Sequence, residues 1–405
     1  MSHGGDTARS IAPEPDHQGQ SDAALPFDAP ASSGVRAHLS RWRTVYLAFV
    51  LSRVLVLLVG FGTELALRLT GADPASWRPF AHAETYTHYV DVVRNGYTLE
   101  NAYDYPLLPA LLSAGDVVGI PLALTAFVIS NICLLVGLIG LVTIGERFVG
   151  RPAAMRGAIY LALAPFAYWF SIASTESLLL ALVVGGTLLA LRATPAAWLG
   201  AGAFAALAAL TRPPGALFGL VLLAIAVGQL RAGKLRVRGV LAALAAGAAI
   251  PLAIGGFFLY LRERTGDALA AMHAQDQFNR SVTPDGPIRA MASGVRNTLG
   301  GSPGQAIELF ATLGAAALIV WFATTAFGAR WEVRGWTMFG AASLLLPLAT
   351  GVLWQMPRFA LLIPPVFWML GKLGSERRRL DLALLVLFPI ALTIKVITAV
   401  VGVEG

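Results

Sequence analysis

Charged residues are scarce in this chain of 405 residues. They make up 13% of the sequence, against 56% hydrophobic residues, and the mean hydropathy is +0.68. Soluble proteins carry about 25% charged residues, so this composition excludes a soluble globular protein. Apolar runs of roughly 20 residues, enough for a helix to cross a ~30 Å hydrocarbon core, recur almost to the end of the chain. The sequence therefore predicts a polytopic membrane protein.

Cysteine is nearly absent as well. The single Cys133 lies in an apolar run, which excludes an intrachain disulfide and leaves the redox compartment open. Acidic residues are fewer than basic ones, and a net charge of +7 could indicate a nucleic-acid partner. The basic residues are dispersed through short loops between apolar runs, however, and membrane topology explains that distribution better. We therefore expect no nucleic-acid partner.

The first 38 residues differ from the rest of the chain. They are rich in Pro, Ser, Gly, Asp and Ala and contain too few apolar residues to bury a core, which predicts a disordered cytoplasmic tail over residues 1–38. No charged segment leads directly into an apolar one, so we expect the first apolar run to be a retained anchor instead of a cleaved signal peptide. Residues 39–405 are predicted to form one transmembrane domain.

Hydropathy predicts an all-α protein with about eleven membrane-spanning helices. The segment 105–118 is only about half a membrane thickness long, which indicates a re-entrant or interfacial helix instead of a span. The predicted spans are approximately residues 44–69, 120–145, 155–171, 176–192, 197–211, 214–230, 238–260, 306–327, 335–352, 358–373 and 380–401.

The charges of the loops predict the orientation. If the amino terminus is cytoplasmic, every cytoplasmic loop is short and basic, as in residues 231–238 and 372–379. The long loops 70–104 and 262–305 then lie on the other side, where basic residues are mixed with acids. We therefore expect a multi-pass protein of the cell membrane whose long loops face outside.

The first long polar interruption is Ala83–Pro109. A helix from Glu84 to Asn95 would place Glu84, His88 and Asp91 on one face, at i, i+4 and i+7. A carboxylate that is partly desolvated at a membrane boundary can act as a general base on a hydroxyl. The alternatives are an amphipathic interfacial helix with a solvated polar face, or metal ligation by the same three residues. We expect no bound metal or other cofactor.

Three further polar clusters fall on the same predicted face. Glu176, in Ser174–Ser177, is either a site residue or simply lies in the first turn of a capped helix. Arg212, fixed by the two prolines that follow it, is placed either to bind a phosphate bidentately or to snorkel. The third cluster is the loop Arg262–Gly304, whose length favours binding or gating over simple linkage. The substrate-binding candidates of that loop and of the last outer loop are His273, Gln275 and Arg358, with Gln355 beside the last.

Ionisable residues also occur inside the first apolar run, where they are costly and often functional. Arg53 is either functional or snorkels toward the cytoplasm. Glu64 and Arg68 have the spacing of an i, i+4 ion pair.

Six short motifs occur in an order that is typical of one protein family. They are HYVDVVRNGY at 88–97, YPLLPALL at 105–112, STESLLLAL at 174–182, AALTRPPGALFGL at 208–220, GDALAAMHAQ at 266–275 and RFALLIPPVFWML at 358–370. In this order the chain resembles the PIG-V-like integral membrane mannosyltransferases, a branch of the GT-C glycosyltransferases. The resemblance covers most of the chain outside the amino-terminal tail.

The resemblance implies a GT-C-like helix bundle with an amphipathic helix on its outer face. It also implies a polyprenyl-phosphate sugar donor, most often mannose in this family, and a lipid or glycan acceptor on the non-cytoplasmic side. By the family's pattern, a base deprotonates the acceptor hydroxyl and arginines near the lipid headgroup stabilise the departing phosphate. Arg212 and Arg358 match the motif arginines, while His88, Tyr89, Glu176, His273 and Gln275 are implied to bind substrate.

The chain departs from the family at the expected base. The family has a Trp-Asp pair five and four residues before the tyrosine that corresponds to Tyr89, whereas this chain has Glu84 and Thr85 there. The carboxylate is thus shifted by one residue, or ~100° around a helix. Three interpretations remain: Glu84 acts as the base, Asp91 acts instead, or the protein is a catalytically silent relative that binds lipid-linked sugar. A transporter of lipid-linked saccharides is a further alternative, although no internal repeat is evident.

Overall fold

The computed structural model describes residues 35–71, 77–78, 81–276, 282–325 and 330–402. Most of the predicted cytoplasmic tail lies outside these residues, so its disorder stays a prediction. The first described helix begins at Val35.

The described chain is helical apart from a two-residue antiparallel strand pair, β1 (Trp77–Arg78) and β2 (Ala81–His82). This confirms the all-α class. Two short 3₁₀ turns, Ala167–Phe170 and Pro213–Leu217, interrupt the series. The helices are α1 (Val35–Leu69), α2 (Ala83–Asn95), α3 (Leu107–Val117), α4 (Leu122–Val149), α5 (Arg151–Leu163), α6 (Glu176–Ala190), α7 (Pro195–Ala209), α8 (Phe218–Arg231), α9 (Val237–Thr265), α10 (Ala270–His273), α11 (Gly286–Leu299), α12 (Pro303–Thr324), α13 (Trp331–Leu348), α14 (Met356–Ala360), α15 (Pro364–Glu376) and α16 (Arg378–Val401).

Six helices of the described chain are long and apolar enough to cross a membrane: α1, α4, α9, α12, α16 and the stretch Pro213–Arg231 that contains α8. This confirms a multi-pass membrane fold, but the predicted count of eleven spans is not confirmed. The remaining apolar helices, such as α6 and α7, are shorter. As the sequence predicted for 105–118, α3 has only 11 residues and is too short to cross a membrane by itself.

The helices pack into one bundle through small residues. Helix α7 packs on α9, α4 on α6, and α5 on α15. At the α5–α15 crossing, a Cβ atom on Gly157 would collide with the carbonyl oxygen of Phe367, and one on Gly371 with that of Ala153. In a membrane, where apolar burial drives helix association only weakly, such close backbone approach supplies the packing energy.

Arg53 fastens α1 to the end of α5. Its guanidinium donates to the carbonyl oxygens of Ala162 (3.1 Å) and Ala167 (3.0 Å) and to the hydroxyl of Ser171 (2.7 Å). The last carbonyls of a helix have no partner within the helix, and the arginine satisfies one such oxygen, that of Ala162, together with a carbonyl oxygen of the 3₁₀ turn that follows α5. Since Arg53 is buried, it does not snorkel. Near the other end of α1, Arg68 and Glu64 form the predicted ion pair at 2.8 Å.

Candidate active site

A cavity of about 730 Å³ opens among the loops that the sequence analysis placed on one side of the bundle. Its wall includes residues from the polar first loop, from the breaks before α6 and before α8, from the long loop after α9 and from the connection between α13 and α14. The polar and aromatic lining residues are His88, Tyr89, Tyr103, Asp104, Tyr105, Trp169, Thr175, Thr211, Arg212, Phe258, His273, Gln275, Asp276, Thr350, Trp354, Gln355, Arg358 and Phe359. The four polar clusters of the sequence therefore meet in one cavity.

A carboxylate with two arginines lies at the wall of this cavity. Glu176, the first residue of α6, is 0% exposed, and its Oε1 accepts hydrogen bonds from Arg212 Nη1 and Arg358 Nε, each at 2.5 Å. Two arginines thus share one carboxylate oxygen, although they are 146 positions apart in sequence. A buried carboxylate is stable only when it is paired, so the three side chains form one unit.

Backbone breaks aim the two arginines at Glu176. Arg212 is extended because the following Pro213 disfavours helical backbone before it, and the 3₁₀ turn then begins. Arg358 lies in α14, with its guanidinium carbon 3.4 Å from the ring centre of Trp169 and its Nη1 donating to Gln355 Oε1 at 2.8 Å. Gln355 has φ of 55°, a left-handed conformation that non-glycine residues adopt at a cost and that is often found at functional sites.

The arrangement is suited to binding an anion. One carboxylate leaves one of the two guanidinium charges unmatched. Within the described residues, Nε and Nη2 of Arg212 and Nη2 of Arg358 have no hydrogen-bond acceptor. Both side chains line the cavity and are partly exposed to it. Fork-shaped donors of this kind match the geometry of a phosphate group.

Asp104 is a second carboxyl group in the cavity, and the sequence analysis did not select it. The residue is 8% exposed, and no described group donates a hydrogen bond to its Oδ2. Burial raises the pKa of Asp104 to about 7, and the negative charge of Asp91 adds to the rise. A carboxyl group whose pKa lies near neutrality can take a proton from a hydroxyl and release it again.

Asp91 holds the loop that carries Asp104. Its Oδ1 accepts from Asn95 Nδ2 and its Oδ2 from Asn101 Nδ2, both at 2.7 Å, while Asn101 Nδ2 also donates to the Gly96 carbonyl oxygen at 3.0 Å. The bonds from Asn101 and Asn95 keep the pKa of Asp91 below its ordinary value. Asp91 does not line the cavity. Its geometry in this structure is that of an anchor for the loop.

The loop that carries Asp104 is also hydrogen-bonded to the segment that bears Arg212. The hydroxyl of Tyr97 donates to the Asp104 carbonyl oxygen at 2.8 Å, and the Leu107 amide donates to the Leu210 carbonyl oxygen at 3.0 Å. Leu210 lies two positions before Arg212, so Asp104 and the arginine are held relative to each other by backbone contacts.

Tyr89 lies within electrostatic reach of Asp104, Glu176, Arg212 and Arg358. Burial raises the pKa of Tyr89 far above its ordinary value, and the carboxylates of Asp104 and Glu176 raise it further than the two arginines lower it. Its hydroxyl therefore stays neutral and can donate a hydrogen bond to a ligand.

The remaining binding candidates line the cavity from two sides. His88 Nδ1 lies 2.5 Å from the hydroxyl of Tyr103, and their rings meet edge to face. His273 Nδ1 lies 2.6 Å from Asp267 Oδ2, at a largely exposed position. Gln275 also lines the cavity. Imidazole, phenol and amide groups around a cavity offer both donors and acceptors to sugar hydroxyls.

Of the predicted site residues, the cavity is lined by His88, Tyr89, Arg212, His273, Gln275 and Arg358. Glu176 is fully buried behind the lining and contacts Arg212 and Arg358. The side chain of Glu84 lies outside the described residues, so its role stays a prediction. Helical spacing in α2 predicted the other carboxylate candidates, but it could not predict Asp104, because this residue lies in the loop after that helix. Its position between two tyrosines, immediately before a half-length apolar helix, was the available signal for a desolvated carboxyl group. Within the described chain, no group of three or more His, Cys, Asp or Glu side chains is placed to hold a metal ion.

Comparison with known proteins gives one family match. Residues 106–254 match the family described as dolichyl-phosphate-mannose-protein mannosyltransferase. The match covers less than half of the chain and contains Glu176 and Arg212, while Asp104 and Arg358 lie outside it. None of the curated proteins matches this chain.

Two oligosaccharyltransferase structures are among the solved structures that are similar to this chain at low identity. A crystal structure of the Archaeoglobus fulgidus oligosaccharyltransferase in complex with Zn and sulfate is 14% identical, with a TM-score of 0.49 over 88% of this chain and 52% of that one. The archaeal oligosaccharyltransferase AglB from Archaeoglobus fulgidus, in complex with an inhibitory peptide and a dolichol-phosphate, is 11% identical, with a TM-score of 0.47 over 90% and 56%. The chain therefore spans about half the length of these solved proteins.

The family match supports the coarser part of the resemblance, a membrane glycosyltransferase of the GT-C type. The PIG-V-like branch is not confirmed. Residues 106–254, which include the buried Glu176 and its partner Arg212, are thus the part of the chain that matches this family.

Proposed function

We propose that this protein transfers mannose from a polyprenyl-phosphate donor to a hydroxyl of a lipid or glycan acceptor. One observation carries the proposal: a single cavity contains two arginines fixed by the buried Glu176 and, apart from them, the carboxyl group of Asp104, whose Oδ2 has no hydrogen-bond donor among the described residues. Glycosyl transfer from a lipid phosphate needs these two parts, a cationic site for the leaving phosphate and a base for the acceptor.

The chemistry is an inverting displacement at the anomeric carbon. The Asp104 carboxylate takes the proton of the acceptor hydroxyl, whose oxygen then forms a bond to the anomeric carbon. The bond from that carbon to the phosphate oxygen breaks, and its electron pair leaves with the polyprenyl phosphate. As the phosphate gains negative charge, the free donors of Arg212 and Arg358 bind it more strongly, which lowers the barrier.

Glu176 fixes the orientation of the two guanidinium groups and does not itself contact the substrate. By sharing its Oε1 between the two guanidiniums, it fixes both forks in the cavity wall before the donor arrives. Donors that are already oriented cost no reorganisation during the reaction. Tyr89 and His88, on the same wall, are assigned to the sugar hydroxyls.

The loop charges support an outward-facing site in the cell membrane. The cavity is lined by the long mixed-charge loops, whereas the short basic loops lie at other helix ends, and basic residues accumulate on the cytoplasmic side of membrane proteins. A lipid-linked donor fits a site on the outer side of the membrane, because an enzyme that uses such a donor needs no nucleotide-binding domain.

Release of polyprenyl phosphate tests the proposal. Purified protein in lipid vesicles is supplied with radiolabelled polyprenyl-phosphate mannose and acceptor extracts, and we expect turnover by the wild type. Asp104→Asn should lower kcat by about 10²- to 10⁴-fold, since it removes the base. Asp116→Asn is the matched control, because Asp116 is an exposed carboxylate on α3 outside the cavity, and it should leave kcat unchanged.

Glu84→Gln in the same assay separates Glu84 from Asp104 as the base. Asp91→Asn is expected to lower turnover indirectly, because Asp91 anchors the loop that carries Asp104. A loss of turnover confined to Glu84→Gln would contradict the assignment of Asp104. Donor binding by the wild type without any release of polyprenyl phosphate would instead identify a silent sugar-lipid-binding relative and overturn the proposed function.

A further inference from the structure

Glu308 is a buried carboxylate of α12 that the proposed reaction does not use directly. It is 7% exposed and lies one turn into a helix that is apolar enough to span the membrane. Ionisable groups at such positions are rare and usually have a specific partner. The partner here is main chain: Oε1 accepts from the Gln355 amide at 3.1 Å and Oε2 from the Met356 amide at 2.7 Å.

These two amides belong to the turn that begins α14. The first N–H groups of a helix have no partner within the helix, and the next residue, Pro357, has no N–H at all. A carboxylate accepts both amides at once, because each of its oxygens is an acceptor. One turn earlier on α12, Gln305 Nε2 donates to the Leu353 carbonyl oxygen at 3.2 Å, so the same helix face holds the turn at two points.

The turn leads directly to the phosphate-directed arginine. Gln355 is the residue with φ of 55°, and its Oε1 accepts from Arg358 Nη1. A left-handed glutamine persists only where its surroundings fix it, and the two bonds to Glu308 do so. Arg358 in turn donates to Glu176, which also holds Arg212. Hydrogen bonds therefore connect Glu308 through the turn to both arginines of the cavity.

We infer that Glu308 is a positioning residue, which sets the angle of Arg358 toward the leaving phosphate by clamping the Gln355–Met356 turn. This inference rests on the proposed function for its catalytic consequence. Since the phosphate gains charge as the glycosidic bond breaks, a misplaced Arg358 weakens binding of the transition state more than binding of the donor. The clamp is therefore expected to act on kcat more than on KM.

Glu308→Gln tests the clamp with almost no change of volume. A glutamine oxygen can accept one amide, but its NH₂ group then faces the other amide, so one bond is lost. We expect kcat for polyprenyl-phosphate mannose to fall by about 10- to 100-fold, as a displacement near 1 Å can cost, while KM changes less than about threefold. The matched control is Thr312→Val, which removes a buried hydroxyl from the same helix that bonds only within it, to the Glu308 carbonyl oxygen. It should leave kcat and KM unchanged.

Hydrogen exchange separates this inference from the proposed function. In the full-length protein in micelles, Glu308→Gln should speed amide exchange in the peptide covering residues 353–361, and Thr312→Val should not. Unchanged exchange there, equal effects of the two variants, or a change in KM as large as that in kcat would overturn the clamp. Absence of wild-type turnover would overturn the proposed function, while the exchange measurement would still decide whether Glu308 holds the turn.

Discussion

At the scale of single residues, Asp104 makes both stability and activity depend on pH, and the two are expected to change in opposite directions. Its pKa is raised from 3.8 to about 7, so between these values the unfolded chain has lost a proton that the folded protein retains. Stability then falls as pH rises from about 4 to about 7 and is fully present below the unfolded pKa. Activity that needs the ionised base rises across the upper part of the same interval.

We therefore expect kcat/KM of the wild type to rise with pH to a plateau above about 7, while Tm in detergent falls over the same interval. Asp104→Asn should remove most of this fall in Tm and be more stable than the wild type at pH 8. A variant that loses activity and is also less stable at pH 8 would show that Asp104 is not a desolvated base.

Glu176 gives a second prediction at this scale. Arg358→Ala leaves the buried Glu176 with Arg212 as its arginine partner, and the loss of a hydrogen bond to a charged group costs about 1.5–3 kcal/mol. Glu176→Gln removes the carboxylate that both arginines share and leaves two largely buried guanidiniums without it, so this variant should lower Tm more than Arg358→Ala does. Thermal unfolding of the two variants and the double variant measures the coupling.

Arg289→Ala is the matched control for that cycle. Arg289 pairs with Asp285 at 3.3 Å, and both side chains are more than half exposed, so the pair contributes little. Equal Tm losses for Arg358→Ala and Arg289→Ala would contradict a special role for the buried carboxylate.

The sequence predicted single residues unevenly. Arg212 and Arg358 were found from motifs, and the structure places both in the cavity. That they share Glu176 could not be predicted, because the contact joins breaks between helices that are distant in sequence. Asp104 and Glu308 escaped because their importance comes from burial and from main-chain partners, which periodicity does not report.

At the scale of helices, hydropathy located the apolar segments but not where they break. The predicted spans 155–171 and 358–373 are each interrupted, since α5 ends before Pro165 and α14 is separated from α15 at Pro364. Proline lacks an N–H and restricts the residue before it, so both breaks had a visible signal. These breaks matter because they place Trp169 in a separate 3₁₀ turn and Arg358 in the short helix α14, where the two side chains meet.

The α5–α15 crossing gives a prediction for elements. Gly371→Ala places a methyl group against the Ala153 carbonyl oxygen, and overpacking of this kind costs about 1–3 kcal/mol. Gly256→Ala is the same change in α9 at a position with open space, where the helix preference for alanine should make it neutral or slightly stabilising. Detergent-solubilised Tm compares the two; a Gly371→Ala protein as stable as Gly256→Ala would contradict close packing at this crossing.

At the scale of the whole molecule, the orientation remains a prediction that single thiols can test. Cys133→Ala gives a background without cysteine, since Cys133 is the single cysteine of the chain. Glu100→Cys lies in the exposed cavity-side loop and Lys234→Cys in an exposed basic loop. In intact cells a membrane-impermeant maleimide should label position 100 alone, and permeabilisation should add position 234. The reverse pattern would place the cavity on the cytoplasmic side.

The contact between Arg53 and the end of α5 has a consequence for synthesis at the ribosome. Its acceptor on Ala167 is 114 residues further along the chain, so the guanidinium enters the bilayer before its partners exist. At translation rates of about 5–20 residues per second, that interval lasts roughly 6–23 s. During this time α1 carries an uncompensated charge and is expected to stay beside the insertion machinery, or beside a helper protein, until α5 emerges and releases it.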